Sequence, residues 1–217
     1  EFPHTAFVTD MNGNLVRKIA VNPSSEGVPI GFDDAPDFPR NISWRNDEPA
    51  TVTYVKALDG GLGKSKSEWR DAMMSIILTA GKENPAVELF RTKMRFQGVT
   101  WGNSSLAVFY EESYAGRKFQ MNIYNPSTGK SDSLFARSSN DLYSDIGDPL
   151  TQKNEFGRQV LIILKGKELI LSSDGASDEG DMPLVQTFDI STGKTNLVWR
   201  CKAPYYEYLV KMIDPVK

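Results

Sequence analysis

Residues 99–135 read VTWGNSSLAVFYEESYAGRKFQMNIYNPSTGKSDSLF, and they hold four short apolar runs, each closed by turn residues. Val99–Trp101 is followed by Gly102-Asn103-Ser104, and Leu106–Tyr110 by a break at Ala115-Gly116. Phe119–Tyr124 alternates, with Phe119, Met121 and Ile123 on one face and Gln120 and Asn122 on the other. Asn125-Pro126-Ser127-Thr128-Gly129 turns the chain towards Leu134-Phe135. A period of two interrupted by tight turns predicts an antiparallel meander of four strands, the size of one propeller blade.

Working outward, the unit repeats. Ile42-Ser43-Trp44-Arg45-Asn46-Asp47 parallels Val99-Thr100-Trp101-Gly102-Asn103-Ser104: a β-branched residue, a small hydroxyl, Trp, then polar turn residues. Tyr124-Asn125-Pro126-Ser127-Thr128-Gly129-Lys130 parallels Phe188-Asp189-Ile190-Ser191-Thr192-Gly193-Lys194, which predicts the same turn between the last two strands of consecutive units. The register gives a first blade over about 41–91, with strands at 41–44, 50–56, 71–78 and 86–91. The second blade covers 97–136. The third covers 158–200, with strands at Gln159–Leu164, Glu168–Ser172, Leu184–Asp189 and Thr195–Arg200. Glu68–Leu78 also fits a helical stripe through Trp69, Ala72, Met73, Ile76 and Ile77, but the repeat and the preceding Gly60-Gly61-x-Gly63 favour a strand. Residues 4–20 form a hairpin around Asn12-Gly13, where both residues accept positive φ. Pro23, Pro29, Pro36 and Pro39 make 21–40 a helix-free connection, and Arg137–Glu155 a polar one. Tyr206–Ile213 is expected to be a lone strand opening a further unit and pairing with the N-terminal hairpin, because an unpaired sheet edge is sticky. The expectation is therefore all-β: one segment, 1–217, forming a partial β-propeller of about three full four-stranded blades plus flanking strands 4–20 and 206–213.

The bulk numbers narrow the function classes. The chain has 217 residues, 40% hydrophobic and 24% charged, with net charge -3. It can bury a sizeable core, and without a basic excess it does not read as a nucleic-acid binder. The longest apolar run, Val160–Leu164, is too short to cross a bilayer, and no membrane partner is expected. The single cysteine, Cys201, excludes an internal disulfide framework and a cysteine-based zinc site. The chain opens at Glu1 without an initiator Met and reads as an excised piece of a longer protein.

Several spaced stretches together resemble one family. They are Pro29-Ile30-Gly31-Phe32; Ile42-Ser43-Trp44-Arg45-x-Asp47-x-Pro49-Ala50-Thr51; Ala57-x-Asp59-Gly60-Gly61 followed by Arg70-Asp71; Gly98-Val99-Thr100-Trp101; and Ala107 to Glu112. Arg137-Ser138-Ser139-x-Asp141-x-Tyr143-Ser144-Asp145-x-Gly147, Gly175-Ala176-Ser177-x-Glu179-Gly180-Asp181-x-Pro183 and Phe188-Asp189 complete the set. The pattern resembles the glutamyl endopeptidase branch of the prolyl oligopeptidase-type serine peptidases of bacteria and plant chloroplasts, from about Pro29 onward. Here the usual Asp-Gly-Gly-Asp-like run reads Asp59-Gly60-Gly61-Leu62-Gly63-Lys64, and residues 62–69 depart from the pattern. The resemblance implies a β-propeller that covers a C-terminal α/β-hydrolase domain, admits peptides, excludes folded proteins and serves cleavage after Glu. It also implies a bacterial periplasmic or secreted protein, with a plastid as the alternative. The hydrolase domain of the parent chain and peptide substrates are the expected partners, and no cofactor is.

The residues themselves supply no catalytic set. A serine peptidase needs a nucleophile, a base and an orienting acid. The one histidine, His4, reads as a surface or edge residue, and no Gly-x-Ser-x-Gly elbow occurs. The hydrolase machinery is expected beyond Lys217. Asp174-Gly175-Ala176-Ser177-Asp178-Glu179-Gly180-Asp181 gathers carboxylates of the kind calcium uses, but Glu179 stands where an EF-hand-like loop wants Gly and Ala176 where it wants an acid, so a hairpin loop is expected and no metal ligand is assigned. Asp33-Asp34-Ala35-Pro36-Asp37 reads as a turn with solvated carboxylates. Gly60-Gly61-Leu62-Gly63-Lys64-Ser65 fails as a P-loop because Leu58 replaces the first Gly, and it reads as a flexible hairpin. Trp44 and Trp101 are both expected to pack between blades, and Pro204-Tyr205-Tyr206-x-Tyr208 reads either as a contact surface or, equally, as an interface with the next blade. A substrate carboxylate would call for an arginine. Arg45, Arg70, Arg117, Arg137 and Arg158 are available, Arg70 being read as a partner of Asp71, and none is nominated. The competing readings are a stand-alone propeller that binds peptides or glycans, and a calcium-dependent surface module.

Overall fold

The computed structural model describes residues 2–213. β1 (His4–Thr9) and β2 (Leu15–Asn22) form the N-terminal hairpin. Only Gly13 of the Asn12-Gly13 pair takes positive φ, at 85°. The rest of the turn is organised by Asp10, whose carboxylate accepts the Asn12 and Asn14 N–H groups and the Asn14 amide. A single 3-10 turn, Ser25–Gly27, interrupts the Pro-rich connection.

Two complete four-stranded antiparallel sheets follow in chain order. The first contains β3 (Arg40–Trp44), β4 (Thr51–Ala57), β5 (Asp71–Ile77) and β6 (Val87–Thr92). The ambiguous segment is thus a strand. The second contains β7 (Arg95–Asn103), β8 (Leu106–Ser113), β9 (Lys118–Asn125) and β10 (Lys130–Ser138).

The third sheet is less regular. β11 (Asp148–Pro149) and β14 (Ile163–Leu164) both pair with β15 (Glu168–Ser173), which continues to β18 (Leu184–Asp189) and β19 (Lys194–Arg200). The expected single inner strand over 159–164 is therefore split. Its first half, β13 (Gln159–Leu161), pairs instead with β12 (Thr151–Lys153) in a small hairpin. The remaining pair, β16 (Ala176–Ser177) and β17 (Gly180–Asp181), decorates the β15–β18 loop. The repeated turn recurs as expected. Gly129 and Gly193 take φ of 70° and 68°, and each donates its N–H to the carbonyl four residues earlier, Asn125 at 2.9 Å and Asp189 at 2.8 Å.

Face-to-face stacking of these sheets makes the core. Between the first and second, Val55, Met73 and Phe90 meet Phe96, Trp101, Ala107, Phe109 and Tyr124. Phe90 and Phe109 stack with centroids 4.1 Å apart. Between the second and third, Leu106, Val108 and Met121 meet Leu161, Leu169, Leu171 and Phe188. Alternation along β8 explains how one strand serves both interfaces: Ala107 and Phe109 face one neighbour, Leu106 and Val108 the other.

The end of the chain departs from expectation. Among the described residues, 206–213 contain no strand, and β1 pairs only with β2, so the terminal segment does not join the hairpin. Pro204 has no N–H for a ladder, and Tyr205 turns back by donating to the Lys202 carbonyl at 3.2 Å. The tail then lies across the outer face of the third sheet, where Leu209 and Met212 pack against Ile162, Ile170 and Val185. Tyr205, Tyr206 and Tyr208 stay exposed.

Candidate functional site

Two polar constellations hold the sheets in register, and they consume most of the arginines that could have met a substrate. The first lies beneath the 58–70 loop. Asp71 is wholly buried and accepts Arg40 at 2.6 Å, Arg95 at 3.1 Å and the Phe96 N–H at 2.8 Å. Asp59 accepts Arg95 at 2.7 Å, Arg70 at 2.9 Å and the Gly61 N–H at 3.0 Å. Burial pushes the Asp59 carboxyl up, but the hydrogen bonds from Arg95 and Arg70 outweigh it and leave its pKa below the ordinary value. Arg70 thus pairs with Asp59 and not with its neighbour Asp71. Removing one member of such a buried set strands its partners at about 3–5 kcal/mol.

The 60–65 loop is pinned, not flexible. Gly61 takes φ of 75°, its carbonyl accepts the Ala35 N–H, and the Ala35 carbonyl lies 2.0 Å from where a Cβ would stand, so only glycine fits. The Gly63 N–H donates to Asp34 at 2.6 Å. The carboxylates of 33–37 are correspondingly not all solvated: Asp33, at φ of 63°, accepts the Ser113 hydroxyl and the Tyr114 and Ala115 N–H groups. The connection is thereby clipped to the second sheet, with Phe32 stacked on Tyr114 at 4.8 Å.

The second constellation lies at the opposite end of the sheets. Arg45 grips Asp47 with two bonds of 2.8 and 2.9 Å and caps the Trp101 ring at 4.4 Å. Arg158 donates to the Arg45 and Glu48 carbonyls and lies 5.7 Å from the Trp44 ring centroid. Asn46 and Asn154 add bonds between the same two loops. Trp101 is buried, as expected, but Trp44 is 44% exposed. Trp44 pairs with Val52, on the face of the first sheet opposite Val55, where no further four-stranded sheet is stacked among the described residues.

The other candidates stand as follows. His4 Nδ1 donates to the Phe2 carbonyl and Nε2 accepts from Asn22, with no serine or acid in the set. The 174–181 stretch is a hairpin closed by the Ser177 hydroxyl on the Gly180 carbonyl. Among the described residues no group of three His, Cys, Asp or Glu side chains is placed to hold a metal ion. Nearby, Asp148 lines a cleft of about 200 Å³ with Asp145, Asp174 and Asp181, and partial burial, then the Asp145 and Asp174 charges, raise its pKa. Arg137 is spent on Asp145 at 3.0 Å and on backbone carbonyls.

Arg117 is different. It sits at the tip of the β8–β9 hairpin, with φ of 49°, exposed, and it lines a concavity of about 760 Å³ with Lys93, Lys118, Phe119, Arg137 and the buried Glu111. Sequence reasoning named Arg117 and Arg137 but missed Arg95, Lys93 and Lys118. No local signal marks Arg95, whose partners Asp71 and Asp59 lie 24 and 36 positions away in the chain.

Stacked four-stranded antiparallel sheets, joined in series, define the class: this is an arc of β-propeller blades. The chain's likeness to glutamyl endopeptidases runs along its whole length. It is 32% identical over 223 residues to the probable chloroplastic glutamyl endopeptidase of Oryza sativa subsp. japonica, covering 98% of this chain and 24% of the relative. To the Arabidopsis thaliana protein of the same description it is 31% identical over 226 residues, covering 100% and 23%. The chain therefore spans about a quarter of the length of these curated relatives. No protein-family model matches it. Among solved structures it is similar to an AtxE2 isopeptidase variant with astexin3-dC4 bound (14% identity, TM-score 0.38, 69% of this chain and 19% of that one) and to TolB from Acinetobacter baumannii (12%, 0.37, 87% and 40%).

Proposed function

We propose that this chain is the non-catalytic propeller segment of a glutamyl-type serine peptidase, limiting access of peptides to a hydrolase domain outside it. The carrying observation is the end-to-end match to a quarter of two glutamyl endopeptidases. The ties that Arg95, Arg45 and Arg158 make from one sheet or loop to the next suit a rigid filter.

The gene continuing past Lys217 into a Gly-x-Ser-x-Gly motif, then an Asp and a His, is the expected result. A stop codon there, or only further blades, would leave a propeller that binds its ligand without cutting it. The purified 217-residue chain is expected not to cleave a Glu-containing peptide, and reproducible cleavage by it would overturn the proposal.

A further inference from the structure

We infer that the concavity at the β8–β9 hairpin is a docking site for an acidic peptide segment, with Arg117 and Lys118 as its carboxylate-binding residues. Only the nature of the occupant, a peptide, rests on the function proposed above; the site rests on three observations.

The first is charge. Four cations line the space: Lys93, Arg117, Lys118 and Arg137. The one carboxylate in the lining, Glu111, is turned inward and fully used: it accepts the Lys93 and Met94 N–H groups at 2.7 and 2.8 Å and the Asn122 amide at 3.1 Å. Asp33 reaches the same hairpin but is consumed by Ser113, Tyr114 and Ala115. Arg137 is held by Asp145, and Lys93 has a distant Glu68 at 3.9 Å and the Trp69 ring, 5.4 Å from its ammonium. Arg117 and Lys118 form no ion pair among the described residues.

The second is backbone conformation. The turns at 125–130 and 189–194 place Gly129 and Gly193 in the left-handed region, where glycine carries no steric cost. The β8–β9 turn has a glycine to hand, Gly116, yet puts Arg117 in that region one residue later. The Arg117 carbonyl is fixed by the Ser139 N–H at 3.1 Å, so the side chain projects from a held position.

The third is the floor. Phe119 lies beneath the cations, with the Arg137 guanidinium 5.0 Å from its ring centroid. An apolar floor under a cationic rim fits a peptide that carries acidic side chains beside apolar ones, and the net charge of -3 does not favour a nucleic acid.

The test is fluorescence anisotropy with the 217-residue chain and three labelled probes: a short Glu-containing peptide, its Gln isostere and a single-stranded oligonucleotide of matching charge. The Glu peptide is expected to bind about tenfold or more tighter than the Gln peptide at low salt, and to weaken as the Debye length shrinks from about 30 Å to about 8 Å. Arg117→Gly relieves the left-handed backbone, so its Tm is expected unchanged or raised while Glu-peptide affinity drops severalfold; Lys118→Gln adds to the loss. Equal binding of Glu and Gln peptides, undiminished binding by Arg117→Gly, or tighter binding of the oligonucleotide would each overturn the inference. Binding needs no hydrolase, so its failure is separable from that of the peptidase reading, which the gene past Lys217 decides.

Discussion

Trp44 and Trp101 stand in the same sequence frame, on corresponding inner strands, and end in different surroundings. Trp101 is sealed between two sheets at 2% exposure with Arg45 on its ring, whereas Trp44 is 44% exposed with Arg158 beside it. The local motif sets the strand and the face, while the cation on each ring comes from a distant loop, Arg45 for Trp101 and Arg158 for Trp44. It does not set burial, which comes from whether another sheet is stacked on that face. A repeat in sequence is therefore a repeat of potential contacts, realised only where a neighbour supplies the other half.

The largest expected effect tests that contrast directly. Trp101→Ala should cost about 3–5 kcal/mol, as for a large core aromatic, and Trp44→Ala under about 1 kcal/mol, as for a surface position, both read from urea midpoints. Equal costs would break the comparison by showing that Trp44 is already fully used. A smaller effect concerns the charges behind the Trp101 interface. The Asp59 pKa is lowered in the fold, so its stabilisation is complete above the unfolded value of about 3.9 and is lost as pH falls through the lower folded value. Asp59→Asn should therefore lose less stability than the parent chain on going from about pH 5 to about pH 3. The smallest effect has the opposite sign. The Asp148 pKa is raised, so its penalty grows as pH climbs from the unfolded value through the folded one. Water still reaches this side chain, so Asp148→Asn should add only a few tenths of a kcal/mol at neutral pH and nothing near pH 3.

What the sequence disclosed was what short-range physics determines. The 125–130 and 189–194 turns, the alternation of Phe119–Tyr124 and the strand over 71–77 depend on neighbours a few residues away, and each stands in the structure. The Arg95–Asp59–Asp71 cluster joins residues 24 and 36 positions apart, and no periodicity announces it. Asp33 was hidden for the same reason: the partners of its carboxylate begin 80 positions downstream. The terminal segment misled because Tyr206–Ile213 has the composition of a strand, while Pro204 and the turn at Tyr205 take it off the edge of the third sheet. Of the candidate concavity, Arg117 and Arg137 were visible as residue types, but that Arg137 was occupied and Arg117 free could be learned only from the fold.

The bonds from Asn154 and Arg158 to the 45–48 loop bridge 108 to 113 positions of chain. During synthesis the first sheet can assemble its own ladder early, but its inner loop must wait for Arg158 to leave the ribosome before these ties close. The three sheets would then mature together, and a ribosome stalled before that point would hold a first sheet that is paired but unlatched, with amide exchange in the 45–48 loop still fast.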